Sequence, residues 1–254
     1  MKKMRTLLLI LMVCLVLPLA CNPEKNAPDG LSIKSSITGV TYPYHVYLPP
    51  SYHDDPDTVF PVIYTTDGQW YFDGFSASLA QRGLEYILVA IEEGPTGSDR
   101  RAVDYVPPGA SAYYSFLTTE FIPLVESDFR IDGDERTIVG TSFGGLLVGY
   151  MLFWDDPEAP YFKRYFAFDG SYWIAPQLMT GYMDDRYSKN HVLNKTLVLT
   201  SALIGNDANV TTFNAEIDGY GFQDLTILRH AFDCRHEEVG GPSFEFALDE
   251  VFMN

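Results

Sequence analysis

The sequence predicts an α/β protein with a mostly parallel central sheet covered by helices on both faces. Three observations predict it. Short apolar runs rich in Val, Ile, Tyr and Phe recur along the chain, several of them unbroken, as in strands buried on both faces. Stretches with helical spacing lie between them, so strand and helix alternate as in successive βαβ units. One apolar run passes through Gly140-Thr141-Ser142-Phe143-Gly144 directly into an apolar helical stretch.

Taken in order, strands are expected at 44–48, 60–66, 86–91, 137–140, 165–168, 196–202 and 225–232. Helices are expected at 76–81, 110–126, 143–154, 212–219 and 242–252. In the last of these, Phe244, Leu248, Val251 and Phe252 share a helical face that should pack on the sheet. No repeat, low-complexity tract or second linker follows residue 30, so 31–254 reads as one domain.

The first twenty residues differ from the rest. Lys2, Lys3 and Arg5 precede an apolar run from Leu7 to Ala20 with no acidic residue, the pattern of a secretory signal. The run is too short to favour a membrane-spanning helix. Leu19-Ala20-Cys21 resembles a bacterial lipoprotein box, which would make Cys21 the lipidated first residue, although Pro18 departs from the usual aliphatic. The alternative is ordinary signal-peptidase cleavage beside an incidental cysteine. Residues 21–30 then read as a tether. The expected location is the bacterial cell envelope, lipid-anchored, or otherwise the periplasm or the exterior.

Charge narrows the function classes. Lys and Arg number 17 against 34 Asp and Glu, a formal net charge of −17. Losing the signal removes three positive charges and leaves −20. Such a chain lacks the Lys and Arg that neutralise phosphates, which excludes nucleic-acid binding. Anionic head groups would be repelled as well, so membrane attachment would depend on lipid at Cys21. With Cys21 lipidated and Cys14 removed, Cys234 has no intramolecular partner and reads as core filling.

The strand–Gly140-Thr141-Ser142-Phe143-Gly144–helix context is that of a nucleophile elbow. The tight turn strains the serine backbone and crowds neighbouring chain, hence glycine on both sides. It lifts the hydroxyl to a helix N-terminus, where an oxyanion is favoured. In hydrolases of this architecture the acid and then the histidine follow the serine. Of the five histidines, His45 and His53 precede Ser142, His191 sits in a polar stretch and His230 lies within the last expected strand. His236 follows that strand and suits the base. Asp207, the first carboxylate after 196–202, suits the acid, while Glu216 and Asp218 read as solvent-facing charges on the next helix. Neither a Cys/His cluster nor a Gly-rich phosphate loop is present, so no metal and no cofactor are expected.

Three further segments, Tyr44-His45-Val46-Tyr47-Leu48-Pro49-Pro50-Ser51-Tyr52, Phe60-Pro61-Val62-Ile63-Tyr64 and Asp67-Gly68-Gln69-Trp70, resemble the opening of the esterase D-like family of α/β-hydrolases. Arg101, Asp104-Tyr105, Pro107 and the stretch from Phe116 to Pro123 continue the resemblance up to the Ser142 elbow. That family includes feruloyl and other carbohydrate esterases, enterochelin-type siderophore esterases, S-formylglutathione hydrolases and mycolyltransferases. The resemblance implies the three-layer α/β-hydrolase fold, with Ser142 as nucleophile, His236 as base and Asp207 where the family places its acid. Some siderophore esterases of this group work with a Ser-His pair. The resemblance also implies oxyanion donors at the backbone N–H groups of Gln69 and Phe143. Related sequences often read Ser-Pro-Ser plus an aromatic where this chain has Asp169-Gly170-Ser171-Tyr172-Trp173, which changes the wall near the nucleophile.

Most aromatic clusters read as core, but Trp70 and Trp173 flank the expected site and are candidate substrate contacts. The expected activity is serine-dependent hydrolysis, through an acyl-enzyme, of a small ester such as an acylated sugar or hydroxycinnamate ester. The alternatives are a siderophore esterase and a non-catalytic binding lipoprotein that keeps the fold.

Overall fold

The computed structural model describes residues 30–95 and 97–253. The signal at 1–20, Cys21 and the tether up to residue 29 lie outside the described residues. Eight strands form one sheet: β1 (Ser32–Lys34), β2 (Thr41–Tyr47), β3 (Phe60–Thr65), β4 (Ile87–Ile91), β5 (Ile131–Thr141), β6 (Arg164–Phe168), β7 (Val192–Ile204) and β8 (Gln223–Arg235). Their spatial order is β1-β2-β4-β3-β5-β6-β7-β8. β1–β2 and β2–β4 are antiparallel, and every pairing from β4 through β3 to β8 is parallel.

The helices are α1 (Gly68–Arg82), α2 (Arg101–Asp104), α3 (Ala110–Phe116), α4 (Ile122–Asp128), α5 (Phe143–Trp154), α6 (Pro176–Lys189), α7 (Asp207–Tyr220) and α8 (Gly240–Phe252). Strand side chains alternate between faces. Val62, Tyr64, Val89, Ile138, Leu197 and Leu199 pack with α3, α4, α5, α6 and α7 on one side. Ile63, Leu88, Val139, Phe166 and Val198 pack with α1 and α8 on the other. The result is three layers. The Phe75 and Phe244 rings, stacked with centroids 3.8 Å apart, join α1 to α8. Every residue of α5 from Gly144 to Phe153 is buried, which is why its sequence is apolar all round.

Several expectations are corrected. The 110–126 stretch is not one regular helix, because a π-helical turn, Leu117–Phe121, separates α3 from α4. β7 and β8 are six and five residues longer than the expected 196–202 and 225–232. The helix α6 and the short edge strand β1 were not expected. In α6 only Met179, Met183 and Arg186 are buried, too few positions to give an apolar period. No helix among the described residues is long and apolar enough to cross a membrane.

Candidate active site

Parallel β3, β5, β6 and β7 bring their C-terminal ends to one edge of the sheet, and the site is assembled there. Ser142 follows β5 with φ 62° and ψ −117°, a strained conformation for a non-glycine residue. Three backbone bonds hold it: Ser142 N–H donates to Phe168 O (2.9 Å), and Ser142 O accepts from Leu146 N–H (3.0 Å) and Ser171 N–H (3.1 Å). The flanking glycines are obligatory. A Cβ at Gly140 would collide with the Gly144 carbonyl, and one at Gly144 would lie 2.5 Å from Thr66 Oγ1.

His236 follows β8 at the start of a 3₁₀ turn, His236–Glu238, that Glu238 closes by accepting from Arg235 N–H (2.9 Å). Its Nε2 lies 3.0 Å from Ser142 Oγ, and its Nδ1 lies 2.5 Å from Asp169 Oδ2. With the proton on Nδ1 directed at the carboxylate, Nε2 is free to accept from the serine hydroxyl.

Asp169, not Asp207, is the carboxylate that meets this histidine. Asp169 directly follows β6 with φ 45° and is fully buried. Its Oδ1 accepts from the backbone N–H of Ala202 (3.0 Å) and Asn206 (3.1 Å), and Oδ2 faces the imidazole. Those donors satisfy an oxygen that has no access to water. A Cβ at Gly205 would sit 2.6 Å from Oδ2, so glycine keeps this approach open. Asp207 instead opens α7 and accepts from Ser201 Oγ (2.5 Å) and Arg229 Nη2 (2.6 Å). The Ser201 hydroxyl foremost, then Arg229, holds its carboxyl below the usual range. The expectation fails because it takes the acid from the second strand beyond the nucleophile, whereas the adjacent strand supplies it. The available signal is Asp169-Gly170, placed directly after the apolar strand Arg164–Phe168.

Gln69 is the second residue of α1, and Phe143 is the first residue of α5. Backbone N–H groups in a helix's first turn have no intrahelical acceptor. The two turns abut, since the Cα of Gly144 faces Thr66 and the Asp67 carboxylate. Two sets of orphan donors and two positive dipole ends thus converge beside Ser142. The Gln69 side chain accepts from Glu93 N–H (3.3 Å).

Asp67, which precedes α1, is fully buried and left-handed (φ 60°). Burial pushes its carboxyl up to about 6, against the pull of Arg101. In the sequence, Arg101 stands out only through the family resemblance. Trp70 and Trp173 are 58% and 57% exposed, unusual for such side chains, and each lines a hollow. The one at Trp70, about 310 Å³, is shared with His45, Phe72 and Glu92. The one at Trp173, about 190 Å³, is shared with Tyr172, Met179 and Phe213.

The other histidines stand apart from Ser142. His45 bonds Glu92 (2.7 Å), and His230, within β8, stacks on Phe246 of α8. Cys234 is half-buried and free, with its thiol pushed up by burial. No group of three His, Cys, Asp or Glu among the described residues is placed to hold a metal ion.

Residues 35–154 match the model of the family described as putative esterase. Over this stretch the chain is similar to the Esterase family. Its elbow Ser142, with Gln69 and Phe143, lies within the matched segment, whereas Asp169 and His236 lie beyond it. A Bacillus subtilis relative, the uncharacterized protein YbbA, is 30% identical over 151 residues, 51% of this chain and 57% of that protein. The ferri-bacillibactin esterase BesA of the same organism is 25% identical over 166 residues, covering 54% and 56%. The chain thus spans little more than half the length of these curated relatives. Among solved structures, an IroE-like serine hydrolase from Shewanella oneidensis superposes with a TM-score of 0.77 at 22% identity, covering 88% of this chain and 79% of that one. The shared fold is the three-layer α/β-hydrolase architecture.

Proposed function

We propose that this protein is a serine carboxylic-ester hydrolase that works through an acyl-enzyme. The observation that carries the reading is the hydrogen-bonded line from Asp169 through His236 to Ser142. As Ser142 Oγ attacks the acyl carbon, His236 Nε2 takes its proton, and Asp169 balances the imidazolium through Nδ1–H. The carbonyl oxygen gathers charge against the N–H groups of Gln69 and Phe143. The imidazolium then protonates the departing alkoxide. A water molecule next attacks the acyl-enzyme while His236 takes its proton. The acyl–Oγ bond breaks, and the carboxylic acid leaves as Ser142 regains its hydrogen.

The exposed Trp70 and Trp173 support a substrate with a flat or ring-bearing part, such as an acylated sugar or a hydroxycinnamate ester. Siderophore ester hydrolysis is the second reading, favoured by the similarity to BesA and opposed by a net charge of −17, which disfavours an anionic ferric ligand. The spacing of Ser142 and His236 argues against a binding module that has lost its chemistry. Lipid attachment at Cys21 in the bacterial envelope belongs to the same reading.

The test is a substrate panel on the purified protein: methyl ferulate, acetylated sugars and a ferric trilactone siderophore. Turnover of the first two above the third is expected. The reverse order would move the assignment to the siderophore, and no turnover of any ester would reject the esterase reading.

A further inference from the structure

Arg101 bridges two segments that local sequence does not connect. Its Nε donates to Asp67 Oδ1 (2.7 Å) and its Nη2 to Asp67 Oδ2 (3.1 Å), a two-pronged grip on a fully buried carboxylate. The same Nη2 reaches Thr141 O (3.3 Å), the carbonyl immediately before the nucleophile. The guanidinium also lies against the rings of Trp70 (4.9 Å to the centroid) and Phe143 (5.5 Å). One side chain therefore touches residues adjoining Gln69 on one turn, and Phe143 together with the residue before Ser142 on the other.

The two turns need such a tie. Asp67 holds a left-handed backbone conformation at the start of α1, and its own side chain does not cap that helix. The space between the turns is already minimal, since any Cβ at Gly144 would collide with Thr66. Small movements there would change the separation of the two donors, and catalysis by fixed dipoles is sensitive to displacements of that size.

We propose that Arg101 is a positioning residue that clamps the Asp67 turn to the Ser142 elbow and thereby sets the spacing of the Gln69 and Phe143 backbone donors. The proposal rests on the serine-esterase reading. A lysine cannot replace the clamp, because one ammonium cannot span both carboxylate oxygens and the Thr141 carbonyl in a plane.

The test compares wild type, Arg101→Ala and Arg101→Lys, each first checked for native circular dichroism. Steady-state turnover of p-nitrophenyl acetate is measured with and without added methylguanidine, and the rate of Ser142 labelling by a fluorophosphonate is followed. For Arg101→Ala the expected result is a kcat lowered about 100-fold with KM little changed, of the order found for losing one oxyanion donor. Methylguanidine should recover at least about tenfold of that loss, because the guanidinium site is partly open to solvent. Arg101→Lys should remain nearly as slow as the alanine variant. Equal labelling and turnover in wild type and both variants would overturn the clamp. So would a loss that methylguanidine does not relieve, or full activity in Arg101→Lys. If Arg101→Ala does not fold, the lysine variant decides by the same comparison with wild type. Absence of labelling in wild type would instead reject the serine-esterase reading itself.

Discussion

The Asp169 carboxylate lies 2.5 Å from His236 Nδ1 although 67 residues separate them along the chain. Two strand ends make the meeting possible: Asp169 just past β6 and His236 just past β8, with β7 lying between those strands. Backbone N–H groups of Ala202 and Asn206, near and just beyond the end of β7, fix the carboxylate from behind. This relationship sets the first expectation. Asp169→Asn should lower kcat by about 10⁴-fold by stabilising the wrong imidazole tautomer. Asp207→Asn should leave kcat within about threefold and cost at most about 1 kcal/mol, because its partly exposed pair with Arg229 is a surface interaction. Parallel ester assays and urea melts of the two variants check this.

The glycines of the elbow and of α1 should respond in opposite directions. Gly140→Ala drives a methyl into the Gly144 carbonyl and should destabilise by about 1–3 kcal/mol while suppressing turnover. Gly74, exposed within α1, has nothing within 4 Å of the place a methyl would take, so Gly74→Ala should stabilise by about 0.5–1 kcal/mol through helix propensity. Urea denaturation of both variants gives the signs.

A buried ion pair far from the site offers a test of stability without chemistry. Lys195 Nζ lies 2.9 Å from Asp155 Oδ2, which also accepts from Tyr165 OH (2.8 Å). Lys195→Met leaves that carboxylate buried without its cation and should cost about 3–5 kcal/mol. Turnover per folded molecule should be unchanged, since Lys195 lies in the first half of β7 and the site lies past its other end. Thermal unfolding and an active-site titration together check the split.

Asp67 predicts a pH dependence of defined sign. Burial foremost raises its carboxyl from 3.8 to about 6, so the folded protein holds a proton that the unfolded chain has released across that window. Its contribution to stability is therefore present below about pH 4 and is lost as pH rises through 6. The stability of wild type relative to Asp67→Asn should fall by about 3 kcal/mol between pH 4 and pH 7. Chemical denaturation at a series of pH values measures it, and a difference that rises over this interval would contradict the assignment.

How much of this was legible in the sequence follows from how local each signal is. The elbow is written in consecutive residues, and α5 spans 143–154 as expected, because its apolar run and the glycines at 140 and 144 lie side by side. His236 could be placed by its position after the last strand. The acid could not, since choosing between Asp169 and Asp207 requires knowing which strand end faces the imidazole. Arg101 is marked in the sequence by the family resemblance alone, because its partner Asp67 is 34 positions away. α6 escaped notice because it buries one sparse methionine stripe rather than a broad apolar face.

The most direct measurement of the central claim is rapid mixing with p-nitrophenyl acetate, followed by acid quench and peptide mass mapping. A burst of p-nitrophenol and a transient acetyl group on the peptide bearing Ser142 are expected, both absent in Ser142→Ala. Undiminished turnover by Ser142→Ala, or turnover by wild type with no acyl group ever found on Ser142, would contradict that claim.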